Sequence, residues 1–399
     1  MSGSTTSSEA SQVGGSGAAN LKELALLFGR LGLIGFGGPA AHIAMMEDEV
    51  VKRRKWISHK YFLDLLGVTN LIPGPNSTEM AIHVGLVKAG WRGLIVAGFC
   101  FIGPAVAITF GFAYLYVRFG SLPQLVPFIA GIRPAVIAVI LGAVYRLGKP
   151  LVKKDRSTAV IGFLVASLAL VQVNEILLLF SGGLVALFWA NRHRFKSTFG
   201  VFIAAILLST SAFRITETAS PVDSITLSGL GLFFLKIGSI LYGSGYVLVA
   251  FLQGGLVEGR HWLTQTQLLD AIAVGQFTPG PVLSTATFIG YILRGIPGAS
   301  VATVGIFLPS FVFVLLISPF ISKLRNIPSV RTFLDGVNAS ALGLMFAVCV
   351  SLGGIALSSP VMWLIFLGAG AAILAWNLHP AWLVLGGAIV GWLAMIIRI

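Results

Sequence analysis

The chain has 399 residues, of which 56% are hydrophobic and only 10% are charged. Its polar side chains are too few to cover the apolar surface in water, which excludes a soluble globular protein and indicates a multi-pass membrane protein. The net charge of +13 does not indicate nucleic-acid binding, because Lys and Arg lie at the ends of apolar runs, as the positive-inside rule describes.

The N-terminal segment and the cysteines add little chemistry. Residues 1–20 are rich in Ser, Gly and Thr and lack the basic and apolar regions of a signal peptide, so we predict a disordered tail. Cys100 and Cys349 lie alone in separate apolar segments. Two isolated cysteines are too few for a disulfide framework or a zinc site. We therefore expect no metal and no cofactor.

Apolar runs long enough to span a bilayer follow in chain order. They occupy residues 24–46, 93–117, 124–147, 157–173 and 176–190, and then 229–253, 299–320, 333–352, 360–375 and 379–397. Between the first and second run of each half lies a segment, 62–87 or 268–292, with Pro-Gly-Pro near its middle. Proline removes a backbone donor and disfavours helix at the preceding residue, so each segment is predicted to form two half-helices with an unwound junction.

The two halves repeat each other. Phe28 matches Phe234, Trp56 matches Trp262, and Pro73-Gly74-Pro75 matches Pro279-Gly280-Pro281, always 206 residues apart. Duplicated halves with an interrupted apolar segment at the same place are typical of secondary transporters. Five spans per half would invert the second copy relative to the first. The glycines and prolines predicted to break helices are Gly37, Gly38, Pro39, Pro73, Gly74, Pro75, Gly243, Gly245, Pro279, Gly280 and Pro281.

The predicted fold is therefore an all-α membrane protein of two inverted repeats. We place the first repeat at 21–197, a linker at 198–228 and the second repeat at 229–399. Each repeat has five spans and a re-entrant hairpin, which gives about ten spans. The apolar stretch 198–213 and the short run 176–190 leave twelve or thirteen spans open.

Each Pro-Gly-Pro junction is a candidate anion site. Helix N-termini present unpaired N–H groups and the positive end of the helix dipole, and short polar side chains add donors. Two such ends from opposite halves are predicted to grip a small oxyanion between them, although simple helix capping is the alternative. The predicted substrate-binding residues at the junctions are Asn70, Asn76, Ser77, Thr78, Gln276, Ser284 and Thr285.

Charged residues inside the apolar segments suggest roles in transport. Arg30 and Lys236 match each other in the repeat, and we expect both to offset the charge of an anionic substrate, with snorkelling to the interface as the alternative. Glu79 and His83 lie on one helical face and are candidates for proton coupling, as is His42. Other polar residues are assigned less directly: Asp64 and Asp270 are predicted to be structural, and Arg133, matched by Asn338, is a secondary candidate for the pathway.

The motifs GFGGPAAHIAMMEDEVV and LIPGPNSTEMAIHVG, with WLTQTQLLDAIAVGQFTPGPVLSTATFIGY in the second half, resemble the two domains of the long-chain CHR-family chromate transporters. The resemblance covers about residues 28–110 and 230–345. It implies export of chromate across the inner (plasma) membrane, driven by the proton motive force, which confers chromate resistance. The implied partners are the oxyanion, with sulfate as a competitor, protons and the lipid bilayer, and a homodimer is compatible with the sequence.

Three alternatives remain at this point. An intramembrane enzyme would need a nucleophile with a base or a metal motif, and the sequence contains neither HExxH nor GxSxG. A channel would share the anion site but would not need titratable groups on the half-helix. A proton-coupled uptake carrier for sulfate or a related tetrahedral oxyanion is the main rival to chromate export.

Overall fold

The computed structural model describes residues 17–36, 38–120, 122, 125–154, 156–190, 225–242, 245–320, 328–376 and 378–396. These ranges contain fourteen α-helices and no strand, which confirms the all-α prediction. Most of the predicted tail and linker, the apolar stretch 198–213, and the glycines Gly37 and Gly243 lie outside the described residues.

The two halves have matching helices. The first half contains α1 (Gly17–Ile34), α2 (Gly38–Glu47), α3 (His59–Thr69), α4 (Asn76–Phe119), α5 (Val126–Lys154), α6 (Arg156–Leu170) and α7 (Glu175–Ala190). The second half contains α8 (Leu227–Ile240), α9 (Leu248–Leu252), α10 (Gln265–Phe277), α11 (Thr285–Ile317), α12 (Pro328–Ala356), α13 (Pro360–Trp376) and α14 (Pro380–Ile396). A π-helix follows α2 at Asp48–Arg53 and α9 at Gln253–Gly259. Short 3-10 helices lie at Gly245–Val247, Val282–Ser284 and Ser318–Phe320.

The first predicted span of each half is not one helix. In the first half α1 ends at Ile34 and α2 begins at Gly38. In the second half α8 ends at Ile240, and helical structure resumes at Gly245. The apolar runs 24–46 and 229–253 are therefore each interrupted, close to glycines that the sequence predicted to break helices. Glycine explains the break, because its backbone freedom lets the chain leave the helix, and Gly38 has a φ of +77°.

Four helices within the described ranges are long and apolar enough to cross a membrane: Asn76–Phe119, Val126–Lys153, Val282–Ile317 and Pro328–Ala356. Shorter apolar helices of 10–17 residues accompany them. Two of the long helices contain a sharp turn, at Ala89–Gly90 in α4 and at Arg294–Gly295 in α11. These turns bring Gly85 against Gly93 and Gly290 against Gly298 so closely that neither pair has room for a Cβ atom. The ten predicted spans stay a prediction.

The two halves interlock. Helix α1 packs on α4 and α8 packs on α11, while α4 and α11 also pack against each other. The remaining helices exchange partners, since α5 packs with α13 and α14 of the second half, and α12 packs with α6 and α7 of the first. Each Pro-Gly-Pro junction consequently lies against residues from the other half.

Candidate functional site

Both Pro-Gly-Pro motifs break a helix. Helix α3 ends at Thr69 and α4 begins at Asn76, whereas α10 ends at Phe277 and helical structure resumes at Val282. The central glycines, Gly74 and Gly280, have φ angles of +147° and +89°. Side chains of L-residues rarely tolerate these angles, so glycine is required at the centre of each junction.

Each junction is closed by the other half of the protein. The N–H of Gly74 donates to the carbonyl oxygen of Leu241 at 2.6 Å, and the N–H of Gly280 donates to the carbonyl oxygen of Gly35 at 2.7 Å. Leu241 and Gly35 match each other in the repeat, and each follows the helix that begins its half. Two breaks therefore satisfy each other's backbone groups in an apolar setting, where an unpaired group is costly.

The half-helices that follow the junctions start without a side-chain cap. Pro75 and Pro281 occupy the cap positions of the helical segments that begin at Asn76 and Val282, and proline has no side-chain group that can accept from the first N–H groups. The half-helices that lead into the junctions are capped by the hydroxyls of Ser58 and Thr264. Both uncapped N-termini are thus available to an external acceptor.

A small cavity lies at the second junction. Its lining includes Gln276, Gly280 and Val282 from the second half and Gly35 and Gly38 from the first. The Gln276 side chain is 7% exposed, and its Nε2 has no hydrogen-bond partner among the described residues. The cavity has a volume of about 10 Å³, roughly the space of one water molecule, so this conformation is too closed for a tetrahedral oxyanion.

The cavity joins one Pro-Gly-Pro junction to the broken first helix of the opposite half. No residue of the first Pro-Gly-Pro junction is among the described residues that line it. This arrangement differs from the predicted site between the two junctions. The reason is that the backbone hydrogen bonds of Gly74 and Gly280 go to Leu241 and Gly35. Each junction therefore lies against the end of α8 or α1.

Several predicted site residues make local hydrogen bonds. The amide of Asn76 donates to Asn70 Oδ1 at 2.6 Å. This local bond is consistent with the alternative that the polar residues at the junction only cap a helix. Thr285 Oγ1 donates to the carbonyl of Val282 at 2.8 Å, which leaves no hydroxyl proton for a substrate. Ser284 Oγ accepts from Thr109 at 3.1 Å.

The first junction contains an acidic group without a hydrogen-bond partner among the described residues. Glu79 is completely buried, and within the described part of the chain neither carboxylate oxygen has a hydrogen-bond partner. The carboxylate lies against Gly74, at a point that the Ser310 hydroxyl also approaches. Thr78 Oγ1, Ser310 Oγ and both ring nitrogens of His83 are likewise buried and unpartnered among these residues. The predicted proton-coupling pair is thus buried without hydrogen-bond partners among the described residues. Ser77 is also buried and lies in the first turn of the same helix.

His42 has a structural contact. Its Nε2 lies 2.8 Å from the carbonyl oxygen of Gly35, which also accepts from Gly280. Because a carbonyl oxygen can only accept, Nε2 carries the proton. His42 therefore helps to hold the break of the first helix against the second junction.

The structure does not bring Arg30 and Lys236 to either junction. Both side chains lie on the exposed side of their helices, whereas Gly32 and Gly238 on the packed side touch the backbone of α4 and α11. The expectation that both cations face the substrate rested on their depth in an apolar run, and depth alone does not fix the face of a helix. Their exposure favours the snorkelling alternative.

We expect Arg30→Gln and Lys236→Gln to change substrate flux by no more than about twofold, as exposed substitutions usually do. Flux in membrane vesicles, normalised to the amount of protein in the membrane, is the measurement. A loss of flux in both variants at normal protein levels would contradict this expectation and indicate that the two cations line the transport path.

The sequence did not predict a buried ion pair near the second junction. Arg133 Nε and Nη2 donate to the two oxygens of Asp270 at 2.8 and 3.0 Å, and the Tyr116 hydroxyl donates to Asp270 at 2.8 Å. Asp270 is 4% exposed, and its helix α10 leads into the junction. The structural role predicted for Asp270 is consistent with this network, but its partners come from distant parts of the chain.

Asp270→Asn should lower the free energy of unfolding by about 3 kcal/mol, the low end of the range for breaking a buried pair, because Arg133 is partly exposed. The double variant Arg133→Leu/Asp270→Leu should lose less, since it leaves no unpaired charge. Thermal unfolding in detergent is the measurement. A loss in the double variant equal to the sum of the losses in Asp270→Leu and Arg133→Leu would contradict a direct pairing.

Comparison with known proteins gives the family. The chain matches the family described as "Chromate transporter" twice, over residues 22–187 and 228–392. It is 35% identical to the chromate transport protein of Cupriavidus metallidurans, covering 81% of this chain and 80% of that protein. It is 33% identical to the probable chromate transport protein of Synechococcus elongatus (90% and 91% covered) and 32% identical to the chromate transport protein of Pseudomonas aeruginosa (92% and 90% covered).

No solved structure matches this chain. The family match falls separately on the two halves, in agreement with the repeat of helices, breaks and junctions described above. The chain belongs to the chromate transporter family.

Proposed function

We propose that the protein is a secondary transporter that exports chromate from the cytoplasm, driven by the proton motive force, and thereby confers chromate resistance. The observation that carries this proposal is the pair of uncapped helix N-termini after Pro75 and Pro281. Such ends stabilise small anions without a dedicated basic residue. The names of the three relatives, all described as chromate transport proteins or probable ones, support chromate as the anion.

The second junction is the better candidate for the substrate. Its cavity is lined by Gln276, whose Nε2 donor has no hydrogen-bond partner among the described residues. Such a donor favours an oxyanion. Because the cavity is too small for chromate in this conformation, transport requires it to open, as alternating access would provide.

The first junction is the better candidate for the proton. Glu79 has no hydrogen-bond partner among the described residues, and an ionised carboxylate in such a site is strongly unfavourable. Glu79 therefore exchanges a proton when the first junction opens to water. The matching position in the second half is Thr285, so this proton step belongs to the first half only.

The direction of transport is tested by radiolabelled chromate in whole cells that express the protein. Export predicts that these cells accumulate less chromate than cells with an empty vector and grow at higher chromate concentrations. Greater accumulation and greater sensitivity would contradict export and favour the alternative, a proton-coupled uptake carrier for sulfate or a related oxyanion.

Sulfate should compete with chromate. The two dianions share charge and shape, so helix ends and amide donors should distinguish them by roughly tenfold at most. We therefore expect half-inhibition of chromate flux at a sulfate concentration within about tenfold of the chromate concentration for half-maximal flux. Chromate flux that is unaffected by a thousandfold excess of sulfate would overturn this expectation.

A further inference from the structure

A buried hydroxyl from the second half faces Glu79 at the first junction. A Cβ atom added to Gly74 would overlap the carboxylate of Glu79 and would lie 2.8 Å from Ser310 Oγ. The two side chains therefore face the same small space, one from α4 and the other from α11. Both residues are 0% exposed, and neither side chain has a hydrogen-bond partner among the described residues. The hydroxyl is thus close to the carboxylate without being bonded to it.

The hydroxyl of Ser310 does not make the bond that serine usually makes in an apolar helix. Serine hydroxyls there commonly donate to the carbonyl oxygen one turn earlier. Ser239, Ser300 and Ser340 do so, at 2.8, 3.1 and 3.0 Å. Because a buried donor without an acceptor is costly, the unbonded hydroxyl of Ser310 indicates an acceptor that another state of the protein supplies.

The repeat shows that this hydroxyl is specific to the first junction. The residue that matches Ser310 is Ala105, since each follows a proline inside its helix. A Cβ atom added to Gly280 would lie 2.9 Å from the methyl carbon of Ala105, so each matched position faces the central glycine of the opposite junction. The matching residue of Glu79 is Thr285. The carboxylate and the facing serine therefore occur together at the first junction, and the second junction has neither at these positions.

Other titratable groups surround Glu79. His83 lies one turn further along α4, and Tyr242, just beyond α8, interacts electrostatically with Glu79. Beyond its turn at Arg294–Gly295, α11 has no charged or titratable residue. The apolar segments of the other helices that pack against α4 contribute Arg30 on the exposed side of α1, His42 in α2, Asp64 in α3 and the ion-paired Asp270 in α10. None of these groups is a hydrogen-bond partner of Glu79 in this conformation.

We propose that Ser310 is the positioning residue of the proton step, because its hydroxyl donates to the carboxylate of Glu79 once that carboxylate is ionised. When the first junction opens, Glu79 gives its proton to water, and Ser310 keeps its own hydroxyl proton and turns it towards the carboxylate. A hydrogen bond to the ionised form favours that form. Ser310 therefore helps Glu79 to release its proton. This inference rests on the proposed role of Glu79 in proton coupling.

The test is titration of Glu79 by infrared spectroscopy on the purified full chain in detergent, without chromate. The stretching band of the protonated Glu79 carboxyl group is identified by its loss in Glu79→Gln. Ser310→Ala should move the pH midpoint of this band upward by about one unit, a tenfold change in proton affinity, because it removes a bond to the ionised form. Ser310→Cys keeps a weaker donor of similar size and should move the midpoint by less.

Ser340→Ala is the matched control, because Ser340 is equally buried but donates to Gly336 within α12. Its midpoint should equal that of the wild type. Net chromate accumulation in everted vesicles, measured against pH at a constant pH difference across the membrane, provides the second measurement. The acidic limb of this profile should move upward in Ser310→Ala by the same amount as the infrared midpoint.

Equal midpoints in the wild type and in Ser310→Ala would overturn the inference. An equal shift in Ser340→Ala would overturn it as well, because any buried hydroxyl would then have the same effect. The proposed function can fail separately. A shifted infrared midpoint, in a protein whose wild type shows no proton-driven accumulation, would support the bond between Ser310 and Glu79 and contradict proton-driven export.

Discussion

Glu79→Gln should abolish proton-driven accumulation of chromate in membrane vesicles while leaving chromate exchange intact. Glutamine keeps the shape of the side chain but cannot release a proton. The carboxylate of Glu79 is buried at the first junction without a hydrogen-bond partner among the described residues, so the substitution breaks no such bond. The variant should therefore fold and bind substrate.

The expected measurement has two parts. Net uptake into everted vesicles under a proton gradient should fall to the level of vesicles that lack the protein. Exchange of labelled for unlabelled chromate, which needs no net proton movement, should persist. Glu47→Gln, which removes a carboxylate from the C-terminal end of α2, is the control and should leave both fluxes unchanged.

Two outcomes would contradict the role of Glu79. Normal net uptake in Glu79→Gln would show that the proton travels by another group, with His83 as the next candidate on the same helical face. Loss of both net uptake and exchange at normal protein levels would indicate that Glu79 shapes the transport path and does not carry the proton.

Val282→Asp should abolish chromate transport without unfolding the protein. Val282 is the first residue after Pro281 and lines the cavity at the second junction. An aspartate there would stabilise the N-terminus of its half-helix, because negative charge favours that end of the dipole. The same charge would repel an oxyanion by about 4 kcal/mol for each pair of unit charges about 4 Å apart at an effective dielectric constant of about 20.

Flux should consequently fall by more than about a hundredfold in Val282→Asp. The asparagine of Val282→Asn has nearly the same shape as the aspartate but carries no charge, so this variant should retain most of the flux. Asn76→Asp makes the matching change at the first junction, where we expect a smaller effect because the cavity lies at the second junction. Thermal unfolding should show that all three variants are folded.

Equal flux in Val282→Asp and Val282→Asn would contradict an anion site at this helix end. The uncapped N-terminus would then be a structural consequence of proline alone. A loss in Asn76→Asp with normal flux in Val282→Asp would instead move the substrate to the first junction.

The sequence predicted the features that depend on local chemistry. Proline disfavours helix at the residue before it and glycine tolerates positive φ angles, so the two Pro-Gly-Pro junctions could be predicted from their residues. The repeat predicted that both halves would break at the same places, and the φ angles of Lys55 and His261, +52° and +54°, show that even strained positions match.

Features that depend on contacts between distant segments could not be predicted. The bond from Gly280 to Gly35 requires the two halves to interlock, and no local pattern encodes that arrangement. Arg133 and Asp270 are 137 residues apart in the chain, so their contact could not be predicted for the same reason. The orientation of Arg30 could not be predicted either, because its match with Lys236 in the repeat indicated a shared role but not which side of the helix it occupies.

The most direct test of proton-driven export is chromate flux into everted membrane vesicles energised with a respiratory substrate, measured with and without an uncoupler. Proton-driven export predicts accumulation of chromate inside the vesicles that collapses when the uncoupler is added. Flux that ignores the uncoupler would indicate a channel, and accumulation only in right-side-out vesicles would show that the protein takes up oxyanions instead of exporting them.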